Sequence, residues 1–221
     1  MDYEFLSNTR LFRGTSPQEA RQMLSCLAAV TRAYQKGETI CRAGEQICAA
    51  GLVLRGSVTV ESDDFWGNRS VLSRAAPGDI FGEAYACLPE QPLLVSVVAA
   101  ANCEVLFLDM ARVMRVCSNA CAHHSRIVQN LLALCAEKNL QLSQRMLHTA
   151  PKTIRARLLS CFHEMSQRAG SRHFSLPYNR QALADYLNVD RSAMCAELSK
   201  MKADGLIDYT KNTVTLLLRT I

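Results

Sequence analysis

The sequence predicts an α+β protein made of a β-roll, a long helix and a small, mainly helical C-terminal unit. Three observations predict this fold class. Residues 37–109 hold short apolar runs separated by glycine, and residues 111–150 contain neither glycine nor proline. Residues 179–217 combine two short helical patterns with two short strand patterns. The predicted divisions are 1–110 for the roll, 111–150 for the helix and 151–221 for the C-terminal unit.

The composition is that of a globular protein. With 221 residues, of which 49% are hydrophobic and 20% charged, the chain can bury a substantial core. The longest apolar stretch, residues 93–101, is far shorter than the roughly 20 residues that cross a bilayer. Acidic residues near the N-terminus, with no apolar run after them, do not fit a secretory signal. We therefore expect a cytoplasmic protein with no membrane partner.

The roll is predicted from short strands and turn residues. Several short strands at close spacing are typical of rolls and sandwiches. The turn residues Pro77-Gly78-Asp79 separate two strands, and the polar and glycine residues between positions 63 and 68 predict a hairpin. The predicted strands lie within residues 51–60, 70–72, 79–81, 95–98 and 105–108.

A single helical stripe follows the roll. Its residues recur in steps of three and four, which predicts one face of a helix of about 35 residues. Such a helix is longer than a small roll covers, so a second copy of the same helix is the expected partner. The alternative is that the stripe packs onto the roll of its own chain. The stripe consists of Cys117, Cys121, His124, Val128, Leu131 and Cys135, and resumes at Leu142 and Met146.

The C-terminal unit begins with a helix that we expect to start at Pro151, with Ile154, Leu158, Leu159 and Phe162 as its apolar face and its end at Gly170.

Two further helices form a helix-turn-helix pattern. Asn179 is the expected cap of a helix over residues 180–187, and Asn188 suits the positive φ of a tight turn. Asp190 is the expected cap of a second helix, from Arg191 to about residue 204. Strand patterns at 207–210 and 213–217 add a hairpin, so the unit is predicted to be a winged helix.

The charge pattern favours a polyanionic partner for this unit. Residues 1–110 carry 9 Lys and Arg against 13 Asp and Glu, a net charge of −4, whereas residues 111–221 carry 16 against 7, a net charge of +9. A solvated basic face with no partner is the alternative. A helix of this kind fits the major groove, where Arg191 can donate two hydrogen bonds to guanine. The predicted DNA-binding residues are Arg180, Gln181, Arg191, Ser192, Cys195, Ser199, Lys202 and Lys211.

At these residues the chain resembles the CRP/FNR family of transcription regulators. The resemblance rests on residues 51–58, 77–83, 180–192 and 205–207, in that order along the chain. It implies a cyclic-nucleotide-binding-like roll and a homodimer joined along the long helix. It also implies a palindromic DNA site, an effector in the roll and contact with RNA polymerase.

The sequence departs from the family at the expected effector pocket. Gly82 and Glu83 are present, but Leu93-Leu94 replaces the Arg-Ser pair that holds the cyclic phosphate in members that bind cyclic AMP. A buried phosphate without a cation is costly, so an apolar or redox effector is expected instead of cyclic AMP. Ser192 and Ala196 replace the family's common Glu and Arg, which predicts a different base preference.

The ten cysteines form no CxxC pair. Cys117, Cys121 and His124 could lie on one helical face, where they could pack in a core, act as redox-active thiols or bind a metal or haem. Oxygen-sensing members of the family hold an iron-sulfur cluster on closely spaced cysteines, and Cys26, Cys41 and Cys48 lack that spacing, so an iron-sulfur cluster is disfavoured. No metal-binding residue is assigned, and the cofactor stays unknown.

An enzyme is not expected. All five histidines follow residue 122, outside the roll where metal enzymes of this shape place their ligands, and no nucleophile elbow or phosphate loop occurs. The remaining alternative is an interaction adaptor that uses the same scaffold without binding DNA.

Overall fold

The computed structural model of the chain describes residues 1–63, 65–66, 69–115 and 122–217, with residues 122 and 123 described by their backbone only. The chain forms two compact units, residues 1–137 and residues 138–221.

The first unit opens with two short helices that the sequence analysis did not predict, α1 (Tyr3–Asn8) and α2 (Pro17–Cys26). Asp2 caps α1 by accepting a hydrogen bond from the N–H of Phe5. In α2, Ser16 and Glu19 bond reciprocally to each other's backbone N–H groups and form a capping box. These local bonds explain why both helices start where they do.

The β-roll is confirmed, with two antiparallel four-stranded sheets in the orders β1-β8-β3-β6 and β2-β7-β4-β5. Val53, Val58, Phe81, Val97 and Val105 belong to one apolar cluster that both sheets share. The predicted hairpin is the β4–β5 pair, in which Asp63 opposes Arg69. The elements are β1 (Val30–Tyr34), β2 (Thr39–Cys41), β3 (Ala49–Arg55), β4 (Val58–Asp63), β5 (Arg69–Ala75), β6 (Ile80–Phe81), α3 (Glu83–Ala86), β7 (Ser96–Ala99) and β8 (Cys103–Asp109).

Gly51 in β3 makes room for an aromatic ring. It pairs with Phe81 of β6, and a Cβ atom at position 51 would overlap the Phe81 ring. The absence of a side chain therefore lets the ring lie against the strand, one residue before Gly82.

The predicted helix from residue 111 is not continuous. α4 (Met110–Met114) is a separate short helix, capped by Asp109, and Arg115 after it is extended, with φ −72° and ψ 131°. The long helix is α5 (Ala122–Thr149). Cys117 and Cys121, the first two residues of the predicted stripe, lie outside the described residues.

One face of α5 packs inside its own unit. Ile127, Leu131 and Leu134 are buried in a cluster that includes Leu6 of α1 and Leu24 of α2. The side chain of Asn130 donates hydrogen bonds of 2.9 Å to the carbonyl oxygens of Leu11 and Arg13. Of the predicted stripe, Leu131 packs within its own chain, as in the alternative interpretation, and His124 is buried as well.

Another face of α5 stays exposed. Its apolar side chains include Val128, Leu132, Leu142 and Met146, with exposed fractions of 37%, 69%, 69% and 71%. Cys135, between them in the same helical row, is half-buried.

The second unit contains the predicted winged helix. Its elements besides the end of α5 are α6 (Ile154–Ala169), β9 (His173–Ser175), α7 (Arg180–Leu187), α8 (Arg191–Ala203), β10 (Ile207–Thr210) and β11 (Thr213–Leu216), with the strands in the order β10-β11-β9. Leu158, Phe162, Leu183, Leu198 and Ile207 belong to its buried core. α6 starts at Ile154, three residues later than Pro151, because the Thr153 hydroxyl caps it through the N–H of Ala156.

Candidate nucleic-acid interface

The helix-turn-helix geometry follows from three polar residues, as predicted. Asn179 accepts from the N–H of Ala182 at the start of α7. Asn188 takes the left-handed conformation with φ 52° between the helices, and Asp190 accepts from the N–H of Ala193 at the start of α8. The hydrogen bonds from Ser192 and Ala193 to the Asp190 carboxylate hold its pKa below the ordinary value. Asp190 therefore stays ionised and fixes the first turn of α8.

Arg191 is the first residue of α8 and is exposed. Within the described part of the chain its side chain makes no hydrogen bond or ion pair, so the guanidinium keeps its donors for a ligand. Ser192, beside it, donates its hydroxyl hydrogen to Asp190 and can still accept a hydrogen bond.

Further along α8, the hydroxyl of Ser199 donates to the carbonyl oxygen of Cys195 at 3.1 Å. Cys195 is half-buried and packs against the core of the unit, while Ser199 is exposed. Of these two predicted groove residues, Ser199 is thus the more open to a ligand.

Tyr209 of β10 lies between two of the predicted basic residues. The guanidinium carbon of Arg180 is 4.9 Å from the centroid of the Tyr209 ring, and Nζ of Lys202 is 5.3 Å from it. The Tyr209 hydroxyl is 3.4 Å from Oγ of Ser199. A cation on a ring face gains about 0.5–1 kcal/mol at an exposed site. Tyr209 thus connects α7, the recognition helix α8 and the wing formed by β10 and β11, and the sequence analysis missed it.

The two cations around Tyr209, Arg180 and Lys202, each make a further contact with a polar group. Arg180 donates to the carbonyl oxygen of Lys211 at 2.9 Å, where Lys211 turns the wing with φ 52°. Nζ of Lys202 lies 2.6 Å from Oδ1 of Asp208, and this hydrogen bond raises the pKa of Lys202 and lowers that of Asp208. Lys202 is therefore a paired cation, which sequence spacing could not show.

Gln181, the last of the predicted DNA-binding residues, also makes a hydrogen bond within the protein. Its side-chain amide donates to the carboxylate of Asp185 one turn further along α7, at 2.8 Å. Arg180, Ser199 and Lys202 thus lie around Tyr209, and Lys211 is linked to this group only through its carbonyl oxygen, which accepts from Arg180.

Arginines of α6 hold the recognition helix and the turn in place. Arg155 contacts Glu197 at 2.6 Å and Asp204 at 2.8 Å, both on the α8 side of the unit. Arg157 donates to the carbonyl oxygens of Leu187 and Asn188, at 3.1 and 2.9 Å. These carbonyls are at the end of α7, where a helix leaves its last acceptors unpaired.

The last turns of α5 contact α7 in a similar way. Arg145 donates to the carbonyl oxygens of Tyr186 and Asp185, at 3.0 and 2.9 Å. Nδ1 of His148 is 2.9 Å from the Tyr186 hydroxyl, and its Nε2 is 3.6 Å from a carboxylate oxygen of Glu164. His148 is only 3% exposed, and burial lowers its pKa against the opposing effect of Glu164.

The predicted effector residues of the roll take different environments. Gly82 has φ 73° and lies immediately before α3, and Glu83, the first residue of α3, is buried. Leu93 is 3% exposed and packs in the core that contains Phe81, whereas Leu94 is 77% exposed. The structure therefore brings Leu93, but not Leu94, into the interior of the roll.

Among the residues that the structure describes, no group of three or more His, Cys, Asp or Glu side chains is placed to hold a metal ion. No helix in the described ranges is long and apolar enough for a membrane span.

The fold and this surface define a class of protein, one with a sensor-type roll followed by a winged helix. Residues 31–120 match the cyclic nucleotide-binding domain family, and residues 156–220 match the Crp-like helix-turn-helix domain. Together the two matches span more than half of the chain. The chain belongs to the CRP/FNR family of transcription regulators, whose members are not enzymes.

Individual relatives agree with this assignment. The chain is 23% identical to the transcriptional activator protein FnrL of Cereibacter sphaeroides over 185 residues, which is 80% of this chain and 71% of that protein. The catabolite activator protein of Thermus thermophilus has a similar structure, with a TM-score of 0.52 at 24% identity and coverage of 94% and 93% of the two chains. The c-di-GMP responsive regulator CLP of Xanthomonas campestris gives 0.57 at 19% identity, with coverage of 92% and 100%. At these identities the structural likeness shows the fold.

Proposed function

We propose that this regulator binds double-stranded DNA as a homodimer at a palindromic site. The exposed face of α5 supports the dimer, because Val128, Leu132, Cys135, Leu142 and Met146 follow the steps of three, four and seven that bring one helix against another. A symmetric dimer presents two recognition helices, and such a pair reads two half-sites related by the same two-fold axis.

The observation that carries the proposal is the exposed Arg191 on the first turn of a capped recognition helix. Its guanidinium matches the N7 and O6 atoms of guanine, and Ser192, Cys195 and Ser199 follow on the same helix toward the groove. The remaining predicted residues suit phosphate contacts, which fix the position of a protein on the duplex but carry no sequence information. They are Arg180, Gln181, Lys202 and Lys211.

The effector is a ligand of the roll other than cyclic AMP. Leu93 lies in an apolar cluster with Phe81, so a phosphate entering there would meet no cation at that position. A small apolar molecule or a redox signal near Gly82 and Glu83 fits this environment better. The thiol, metal or haem alternative depends on Cys117 and Cys121, which lie outside the described residues, and on His124, which is buried on α5.

Contact with RNA polymerase and action in the cytoplasm complete the proposal, since CRP/FNR regulators typically bind RNA polymerase and the family consists of transcription factors.

A selection from random duplexes tests the function. We expect a palindromic site with a guanine in each half-site, bound by a dimer with an affinity that falls as salt rises. Arg191→Ala should lose about 1–3 kcal/mol of discrimination at that guanine, whereas Lys211→Ala should weaken binding to all sequences alike. A monomer in sedimentation, with no salt-sensitive binding to any duplex, would contradict the proposal and favour the adaptor alternative.

A further inference from the structure

The outward face of the recognition helix α8 is defined by its buried side. Met194, Leu198 and Met201 lie in the core of the second unit. At about 100° of rotation per residue, Ser192 and Ala196 lie on the opposite side of the helix, and both are exposed. A helix-turn-helix unit presents the first residues of its recognition helix to the base edges. Ser192 therefore faces the side on which the duplex is proposed to lie.

The hydroxyl hydrogen of Ser192 is already used inside the protein. Oγ of Ser192 is hydrogen-bonded to Oδ1 of Asp190. An ionised carboxylate has no hydrogen to give, so the hydroxyl is the donor. Asp190 stays ionised because the hydrogen bonds from Ser192 and from the N–H of Ala193 hold its pKa below the ordinary value. Toward a ligand, Ser192 thus presents the lone pairs of its oxygen and no free hydrogen.

The bond to Asp190 also resists reversal of this arrangement. Oδ1 of Asp190 accepts from the N–H of Ala193 at 2.8 Å, so the carboxylate is held at the start of α8. A hydrogen bond to an ionised acceptor is about twice as strong as one to a neutral acceptor. If Ser192 donated to a neutral base atom, it would exchange the stronger bond for the weaker one. Accepting a hydrogen bond is therefore its favoured role.

The major groove offers an acceptor only two kinds of donor. These are the amino group N6 of adenine and the amino group N4 of cytosine. Guanine presents its N7 and O6 acceptors there, and thymine presents its O4 acceptor and a methyl group. Arg191, in contrast to Ser192, carries donors only, which suits guanine. Two neighbouring residues of α8 thus require bases of opposite hydrogen-bonding character.

Given the proposed binding of α8 to duplex DNA, on which this inference rests, we propose that Ser192 is a specificity-determining residue. It accepts a hydrogen bond from the amino group of an adenine or a cytosine in each half-site. Besides the guanine of Arg191, each half-site then has one position that accepts adenine and cytosine alike and disfavours guanine and thymine. A serine free to rotate would donate or accept and would tolerate all four bases.

Selection from random duplexes, with the full chain and with Ser192→Ala, tests the residue. For the native chain, guanine or thymine at this position should weaken binding about three- to tenfold, the effect of one neutral hydrogen bond. In Ser192→Ala the four bases should bind within about twofold of each other there, while the preference for the guanine of Arg191 remains. Ser192 is exposed and alanine favours helices, so this variant should fold. Ser175→Ala, at an exposed position of β9, is the control and should keep the native preference.

Modified bases test the direction of the hydrogen bond. 7-Deazaadenine keeps the N6 amino group and the base pair but has a C–H group in place of N7. At the Ser192 position it should bind within about twofold of adenine. 7-Deazaguanine at the guanine of Arg191 is the matched control, and it should weaken binding at least about fivefold because one of the two acceptors is lost. A similar loss with 7-deazaadenine would show that Ser192 donates to N7 and would overturn the proposal.

The outcomes separate this inference from the function on which it rests. A site that keeps the guanine but has no preference for adenine and cytosine, or a preference that survives in Ser192→Ala, would overturn the role of Ser192 alone. Absence of binding to every duplex would overturn the proposed function and the role of Ser192 with it.

Discussion

In the roll, the ring of Phe81 lies against Gly51, whereas in the unit of residues 138–221 the guanidinium of Arg157 reaches the carbonyl oxygens of Leu187 and Asn188. The roll depends on close packing between a backbone and a ring. The second unit adds cationic side chains that satisfy the ends of its helices. The difference shows that the net positive charge of the C-terminal half overestimates the number of cations available to DNA, because many of them stabilise the fold. Those tied within the second unit and outside the predicted DNA-binding set are Arg145, Arg155, Arg157 and Arg168.

The largest expected effect is in the roll. Gly51→Ala places a methyl group inside the Phe81 ring and should lower the free energy of unfolding of this unit by about 3 kcal/mol. Hydrogen exchange should show faster exchange in β3 and β8 and unchanged protection in α7 and α8. Gly44→Ala is the control, because a Cβ there meets nothing within 4 Å and only its φ of 88° is strained. An equal loss in both variants would contradict the packing explanation.

Arg157→Ala should destabilise the second unit by about 2 kcal/mol, because two helix-end carbonyls lose a charged donor. The loss should appear in urea unfolding followed through the exchange of α7 amides. Arg172→Ala, which removes an exposed cation of the same unit, should change stability by no more than about 0.5 kcal/mol. Similar losses in the two variants would remove the distinction between structural and free arginines.

Tyr209→Leu should weaken DNA binding about fivefold with little loss of stability, because Arg180 and Lys202 lose the ring that positions them. The slope of log affinity against log salt should decrease as well. Tyr209→Phe keeps the ring and should bind like the native chain. If Tyr209→Phe binds as weakly as Tyr209→Leu, the contact between the hydroxyl and Ser199 is what matters.

The smallest effect concerns pH. Burial lowers the pKa of His148, which faces Tyr186 of α7 and Glu164 of α6, with Arg168 of α6 also acting on it. The unfolded chain therefore binds more protons at this position than the folded chain. Stability from neutral His148 is fully present above the unfolded pKa of about 6.5 and is lost as pH falls below it.

Thermal unfolding of the second unit between pH 7.5 and 5 measures this dependence. His148→Gln should flatten it, and His163→Gln, at an exposed position of α6, should not. A dependence that survives in His148→Gln would assign it to another group.

The parts of the fold that sequence reasoning predicted are those set by local chemistry. Asn179, Asn188 and Asp190 each act through their own backbone neighbours, so their spacing was enough to place α7, the turn and α8. The alternation of strands with glycine and proline predicted the roll for the same reason.

The parts that were missed depend on contacts between distant residues. Tyr209 is about 30 residues beyond Arg180 along the chain, and only folding brings the cation over the ring. The end of α4 was missed because Arg115 has an ordinary helical propensity. No glycine or proline after Met114 indicates that the chain becomes extended there. Lys202 likewise pairs with Asp208 only because the fold brings β10 beside α8, and nothing in the sequence spacing indicates this.

The contacts of Arg145 and His148 with Tyr186 bear on how this DNA-binding part can be produced by itself. A fragment cut at Pro151 would lack Arg145 and His148. The carbonyl oxygens of Asp185 and Tyr186 would then lose the hydrogen bonds that Arg145 donates to them. One beginning near Lys138, where the second compact unit starts, would retain them. The last three turns of α5 are thus as much a part of the winged helix as the strands that give it its name.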